Sequence, residues 1–169
     1  MKKTYTLIIT SFLSVALCAQ PTYQWAKKVG GAGDDKSNDI SVDAARNIYT
    51  TGSFNGTVDF DPGTGTANLT SVGASDMFLA KYDSAGNYVW AKNIESFSTN
   101  EACNKIIFDQ VGNVYLVGLF GDTADFDPGP GVANVIATNF ASEIFFAKYD
   151  SNGNYMWANA IGGAGGDAG

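Results

Sequence analysis

The residues best suited to chemistry in this sequence are two pairs of aspartates. Asp59 and Asp61 form one pair, and Asp125 and Asp127 form the other, 66 positions further along. Residues two apart on an extended strand point to the same face, so each pair can present two carboxylates together. Carboxylate oxygens are ligands that Ca²⁺ prefers, which makes these four residues candidate calcium ligands. The alternative is structural: Asp61 and Asp127 stabilise the turn before a proline, while Asp59 and Asp125 face solvent.

Several other chemistries are excluded by composition. The chain contains no histidine, which removes Ser-His-Asp and Cys-His catalysis, histidine zinc sites and imidazole general bases. The glycine-rich stretch at residues 30–35 lacks the following helix that a phosphate-binding site needs, and we interpret it as a linker between repeats. The spacing of the carboxylates does not exclude glycoside hydrolysis, which uses a pair of acidic residues, although an enzyme has no need of such a pair in every repeat. We therefore predict no catalytic residues, no enzyme activity in this chain and no cofactor other than calcium.

An internal repeat governs the whole sequence. Trp25-Ala26-Lys27 returns as Trp90-Ala91-Lys92 and again as Trp157-Ala158-Asn159, and Asp61 and Asp127 are 66 positions apart. Repetition at a fixed period indicates a unit that must stack on copies of itself to bury its apolar face. One tryptophan per repeat at one position favours packing between sheets, with sugar stacking as the alternative.

Each repeat reads as four short antiparallel strands. In the second copy these are residues 106–109, 114–118, 143–149 and 155–158, joined by turns such as Gly112-Asn113. A Pro-Gly turn between the second and third strands predicts an extra hairpin protruding from each repeat. Asp43, Asp83, Asp109 and Asp150 are predicted to bond backbone amides in the other turns. The fold class is therefore all-β, with about two antiparallel four-stranded propeller blades and an inserted β-hairpin in each.

The repeat also divides the chain. Residues 1–19 carry Lys2-Lys3 and then a short apolar run that ends in small residues, which predicts a signal peptide. Residues 20–37 are expected to form the outer strand of a preceding or closing blade plus a linker. Residues 38–92 then form blade 1, residues 93–160 form blade 2, and residues 161–169 start a third blade.

These motifs resemble the SBBP repeat, a bacterial repeat named for a seven-bladed β-propeller. The resemblance rests on Asp-x-Phe-x-Ala-Lys-Tyr-Asp at residues 76–83, on Gly-Asn-Tyr-x-Trp-Ala at 153–158, and on Gly-Gly-x-Gly-x-Asp at 30–35. The matching stretches run over residues 39–90 and 104–157. The resemblance implies a propeller in a large secreted or surface protein without an assigned reaction. It further implies adhesion modules and a type IX secretion sorting domain beyond this sequence.

Charge and resemblance together suggest the partners. Ten basic and 17 acidic residues give a net charge of −7, which opposes binding to nucleic acid. We expect no integral membrane span, a secreted or outer cell-surface location, and a non-catalytic scaffold for adhesion or for binding a protein or glycan. An incomplete propeller is also expected to self-associate through its exposed edges. The alternative function is the N-terminal propeller of a secreted carbohydrate-active enzyme whose catalytic residues lie outside this sequence.

Overall fold

A computed structural model of the protein describes residues 23–98, 101–138 and 142–163. Thirteen β-strands are described in these ranges, and all of their pairings are antiparallel, which confirms the all-β prediction. The predicted signal peptide at residues 1–19 lies outside the described ranges, as does most of the predicted third-blade start. No helix in these ranges is long and apolar enough to cross a membrane.

Each repeat forms a four-stranded blade. Blade 1 consists of β2 (Lys36–Val42), β3 (Ile48–Phe54), β6 (Asp76–Tyr82) and β7 (Tyr88–Ser96). Blade 2 consists of β8 (Ala102–Phe108), β9 (Val114–Phe120), β12 (Glu143–Tyr149) and β13 (Tyr155–Ile161). Within each blade the four strands pair in the order in which they follow along the chain, β2-β3-β6-β7 and β8-β9-β12-β13. The strands of blade 1 span residues 36–96 and those of blade 2 span residues 102–161, where the sequence predicted blades at 38–92 and 93–160.

The turns within the blades are held by aspartates, as predicted. In the β2–β3 turn, Asp43 Oδ1 accepts the N–H of Asn47 at 2.8 Å. In three other turns the backbone N–H four residues after an aspartate makes the same bond, and the acceptors are Asp83, Asp109 and Asp150. A short side-chain acceptor at the first turn position fixes the loop and thereby the strand register.

The predicted inserted hairpins are present, but they do not protrude alone. Strands β4 (Thr57–Asp59) and β5 (Asn68–Thr70) form the first, and β10 (Thr123–Asp125) and β11 (Asn134–Ile136) form the second. Strand β10 pairs with the end of β7, so the hairpin of blade 2 extends the sheet of blade 1. The reason is that β7 runs past its partner β6 and offers backbone groups to another strand.

The N-terminal segment, residues 23–31, repeats this arrangement. It corresponds to β7, and its end, β1 (Gly30–Gly31), pairs with β4 of the first hairpin. The outer strand expected within residues 20–37 is therefore only two residues long in the described ranges. A full ladder needs a neighbour equivalent to β6 on the other side, and none pairs with this segment there.

The largest apolar core lies between the two blades. Blade 1 contributes Tyr49, Met77, Leu79 and Ile94, and blade 2 contributes residues that include Cys103, Ile106, Val114, Leu116 and Phe145. The rings of Tyr49 and Phe108 lie 4.8 Å apart in an edge-to-face arrangement. Removal of this apolar surface from water makes the blade–blade contact a main source of stability.

Polar contacts fix the relative position of the blades. Asp39 Oδ1 pairs with Lys105 Nζ at 3.1 Å, and Asp39 Oδ2 accepts the N–H of Ile106 at 2.8 Å. The pKa of Asp39 is lowered: burial opposes the shift, and these hydrogen bonds together outweigh it. A directed contact of this kind sets the register of one blade on the next, which apolar packing alone does not.

Two of the three repeated tryptophans pack against a turn of the blade that follows them in the chain. Trp90 of blade 1 lies against Gly153 of blade 2, where an added Cβ would be 3.0 Å from the indole ring. Trp25 lies against Gly86 at the same distance. Both glycines have φ of 75°, so the turn and the close approach each require glycine. The geometry agrees with the packing interpretation of these two tryptophans.

Candidate binding surface: the acidic hairpin loops

The inserted hairpins place the four predicted aspartates in two loops of the same structure. We call residues 59–67 and 125–133 the acidic hairpin loops. In each loop the first backbone bridge is the same: Phe60 N–H bonds Ala67 O at 3.0 Å, and Phe126 N–H bonds Ala133 O at 3.2 Å. The repeat therefore displays one loop structure twice.

The first aspartate of each loop acts as an internal clamp. Asp59 Oδ1 accepts two backbone N–H bonds, from Asp61 at 3.0 Å and from Ala67 at 2.8 Å. Asp125 Oδ1 makes the corresponding bonds at 3.0 and 2.8 Å. These two hydrogen bonds hold the pKa of Asp59 below its usual value, and the bond from the Ala67 amide has the larger effect. One oxygen thus ties the two ends of the loop together.

The second aspartate shapes the tip. Asp61 Oδ1 accepts the N–H of Gly63 at 2.7 Å, and Asp127 Oδ1 accepts that of Gly129 at 2.8 Å. A Cβ on Gly65 would collide with Asp61 Oδ2, which explains the second glycine of the Asp-Pro-Gly-x-Gly sequence. Loops whose backbone is held by their own side chains are preorganised, so they lose less entropy on binding.

The base of each loop is anchored in its blade by a tyrosine. Tyr82 Oη donates to Phe60 O at 3.1 Å, and Tyr149 Oη donates to Phe126 O at 3.0 Å. Burial raises the pKa of both tyrosines, so both remain neutral donors. This role was not predicted from the sequence. The available signal was the repeated Lys-Tyr-Asp at the ends of β6 and β12, next to loops of constant sequence.

A buried carboxylate secures the return of each hairpin. Asp76 Oδ2 accepts the N–H of Val72 at 3.0 Å, and Glu143 Oε1 accepts that of Thr138 at 2.6 Å. Both acidic residues are buried and occupy the same position of β6 and β12. Each loop is therefore fixed at its ends, its base and its tip.

The exposed tips differ although their scaffolds agree. Residues 63–66 and 129–132 are exposed, and they present Thr64 and Thr66 in one loop but Pro130 and Val132 in the other. These side chains take no part in the clamps described above. The structure thus separates residues that build the loop from residues that can contact another molecule.

Calcium binding by the four aspartates stays a prediction. The bonds from Gly63 and Gly129 N–H to Asp61 and Asp127 agree with the structural alternative. Asp59 and Asp125, which that alternative expected to face solvent, instead each accept two backbone N–H bonds at Oδ1. Within the described ranges, no group of three or more Asp, Glu, Cys or His side chains is arranged to hold a metal ion. Binding there would need the second carboxylate oxygens together with backbone carbonyls or water.

The stacked four-stranded sheets and their docked hairpins define the class: a β-propeller repeat protein. The SBBP β-propeller repeat family model matches residues 24–58, so the chain carries an SBBP repeat. The match runs from the N-terminal segment through β2 and β3 into β4. It therefore includes the step from one blade to the next.

A viral protein is similar over nearly the whole chain. An uncharacterized WD repeat-containing protein of Acanthamoeba polyphaga mimivirus is 26% identical over 194 aligned positions. The alignment takes in 94% of this chain but 14% of that protein, so the chain spans about one seventh of its relative's length. The similarity agrees with a repeat scaffold.

Proposed function

We propose that the chain is a secreted or cell-surface scaffold without catalytic activity that binds another protein through its acidic hairpin loops. The observation that carries this proposal is the duplicated loop, with a rigid backbone and exposed tips of differing sequence. Loops on a rigid scaffold are common binding surfaces, and two of them on one chain can act together.

The charge of the surface suggests the kind of partner. The chain has a net charge of −7, and each loop carries two aspartates. A protein with a basic surface would be steered toward such loops and oriented on them. Among the exposed tip residues there is no aromatic ring for sugar stacking, so we favour a protein over a glycan.

The secreted location rests on the N-terminal sequence. Lys2 and Lys3, the apolar run and the small residues before Gln20 are typical of a signal peptide. Edman sequencing of the chain recovered from the medium or cell surface should begin at Gln20. An intact N-terminal methionine on a cytoplasmic chain would overturn this part of the proposal.

Binding is tested on arrays of extracellular proteins and of glycans, probed with the full chain. The loop variant carries Thr64→Ser, Thr66→Ser, Pro130→Ser and Val132→Ser, which spare every clamp residue. The control is Val111→Ser in the β8–β9 turn, a residue that is 81% exposed. We expect the arrays to identify a basic protein. The wild type and the control should bind this protein at least about tenfold more tightly than the loop variant does. Binding to glycans alone or no binding on either array would contradict the proposal. So would a loop variant that binds as tightly as the wild type.

A further inference from the structure

A buried glutamate lies at the step from blade 1 to blade 2. Glu101 directly precedes β8 and is only 6% exposed. Both of its carboxylate oxygens are buried, and neither has a hydrogen-bond partner among the described residues. Burial of a charged group is costly unless a partner compensates it, so an unpartnered carboxylate of this kind points to a bound ion, a bound proton or water.

Two more side chains of this region contain buried oxygens without partners. Ser96 Oγ, at the end of β7, and Asn93 Oδ1 are buried, and within the described ranges neither atom has a hydrogen-bond partner. The Ser96 hydroxyl acts to lower the pKa of Glu101, so it lies beside that carboxylate although the two make no hydrogen bond of normal geometry. All four unpartnered atoms are oxygens, the ligand type that hard divalent cations prefer.

Asp76 connects these side chains. Its Oδ1 accepts the N–H of Ser96 at 3.2 Å, and its Oδ2 accepts Asn93 Nδ2 at 2.7 Å. Burial is the main cause that raises the pKa of Glu101, and the negative charge of Asp76 adds to it. Asp76 is itself fully buried. Two buried carboxylates are therefore near enough to repel each other when both are ionised.

No ion pair of the described ranges balances this charge. The two ion pairs found there lie elsewhere, at Lys105 and Lys148. Glu95 adds a further negative charge on β7: burial raises its pKa first of all, and the charges of Asp76 and Asp125 raise it further. The local field therefore attracts a cation to the end of β7.

The first repeat contains the same step with its carboxylate satisfied. Asp35, 66 positions before Glu101, accepts the N–H of Gly31 at 2.7 Å. Gly31 corresponds to Ser96, because each pairs with the same position of its hairpin. In the second repeat Asp76 takes the Ser96 amide, and the carboxylate of Glu101 has no such donor. The second repeat thus has one more buried carboxylate at this step than its amide donors satisfy.

We infer that a divalent cation, with Ca²⁺ the best fit, binds between Glu101 and Asp76, with Ser96 Oγ and Asn93 Oδ1 as further oxygen ligands. Only two carboxylates take part, in agreement with the finding that no group of three or more acidic, cysteine or histidine side chains in the described ranges is arranged to hold a metal. Ca²⁺ takes about six to eight oxygen ligands, so backbone carbonyls and water complete the set. The ion joins the end of β7 to the start of blade 2. The inference goes beyond the proposed function and uses no residue of the acidic hairpin loops.

Thermal unfolding of the full chain, in chelator and in Ca²⁺ at matched ionic strength, tests the site. Binding with a dissociation constant of about 0.1–1 mM is expected for a site with few carboxylates. A ligand that binds only the folded state stabilises it by mass action, so about 10 mM Ca²⁺ should raise the melting temperature of the wild type by about 5 °C or more.

Two variants locate the ion. Glu101→Gln keeps the shape of the side chain and removes its charge, so in chelator it should be at least as stable as the wild type, and Ca²⁺ should no longer raise its melting temperature. Ser96→Ala removes the hydroxyl but not the amide that Asp76 accepts, and it should weaken Ca²⁺ binding about fivefold. Asp35→Asn, at the position of Glu101 in the first repeat, is the matched control and should respond to Ca²⁺ as the wild type does.

Three results would overturn the inference. The first is a wild type whose melting temperature does not respond to Ca²⁺, which would leave a proton or water to explain the buried carboxylate. The second is a Glu101→Gln variant that keeps the full response, because the ion would then bind elsewhere on the chain. The third is a Ser96→Ala variant with unchanged Ca²⁺ affinity, and this result decides the matter if Glu101→Gln does not fold.

Discussion

The packing of blade 1 on blade 2 predicts that one isoleucine truncation is costly and that its counterpart is not. Ile94 and Ile161 occupy the same position of β7 and β13, but Ile94 is fully buried between the blades and Ile161 is 60% exposed. Truncation of a buried isoleucine to alanine costs about 2–5 kcal/mol, through lost transfer free energy and the cavity left behind. A change at an exposed site usually stays within about 0.5 kcal/mol.

Urea unfolding followed by tryptophan fluorescence measures the difference. With a slope of about 1–3 kcal/mol per molar urea, Ile94→Ala should lower the midpoint by about 1 M or more, and Ile161→Ala should barely move it. If Ile94→Ala does not fold, Ile94→Val, with an expected cost of about 0.5–1.5 kcal/mol, takes its place. Ile106 and Ile40 form a second buried and exposed pair for the same comparison. Equal losses within a pair would refute the packing of one blade on the next.

Three further predictions concern the turns and loops. Gly153→Ala should cost about 1–3 kcal/mol more than Gly112→Ala: both residues have positive φ, but only the first lies against Trp90. Urea unfolding of the two variants gives this difference, and equal costs would remove the role of the ring contact. The pKa of Asp109 is lowered from 3.8 to about 2, first of all by the side chain of Asn113. Its carboxylate therefore stabilises the fold above about pH 4 and loses that effect as the pH falls toward 2. Asp109→Asn should therefore make the free energy of unfolding depend less on pH across this range, as measured by urea unfolding at each pH. Calorimetry should detect Ca²⁺ binding if the loop aspartates are ligands; no heat and an unchanged melting temperature would leave them only their structural role.

The order and type of the strands could be predicted from the sequence because the signals are local. Short apolar runs that end at Asp-x-x-x-Asn turns identify β6 and β12 at the bounds that the structure shows. Local signals fail where a partner lies far along the chain. The pairing of Ala124 with Ser96 depends on how two blades meet, so a hairpin expected to protrude is instead docked on the preceding blade.

The candidate site shows the same division. A carboxylate pair two residues apart is equally consistent with a metal ligand set and with a loop clamp, since both need oxygen acceptors at that spacing. The structure shows which N–H groups Asp59 and Asp125 meet, and those donors lie up to eight residues away. The repeated Lys-Tyr-Asp marks Tyr82 and Tyr149 as recurring residues but does not identify their partners, because β6 and β12 meet the loops only once the sheet has formed.

Consecutive repeats stack face to face as propeller blades, and proton NMR can detect the contact between them. The rings of Tyr49 and Phe108 come from different blades and lie 4.8 Å apart. We expect nuclear Overhauser cross-peaks between these two rings, and their loss in Phe108→Leu assigns them. The rings of Phe54 and Phe60, 5.6 Å apart in one repeat, provide the internal reference. Cross-peaks for the reference pair without any between Tyr49 and Phe108 would contradict the stacking of the blades.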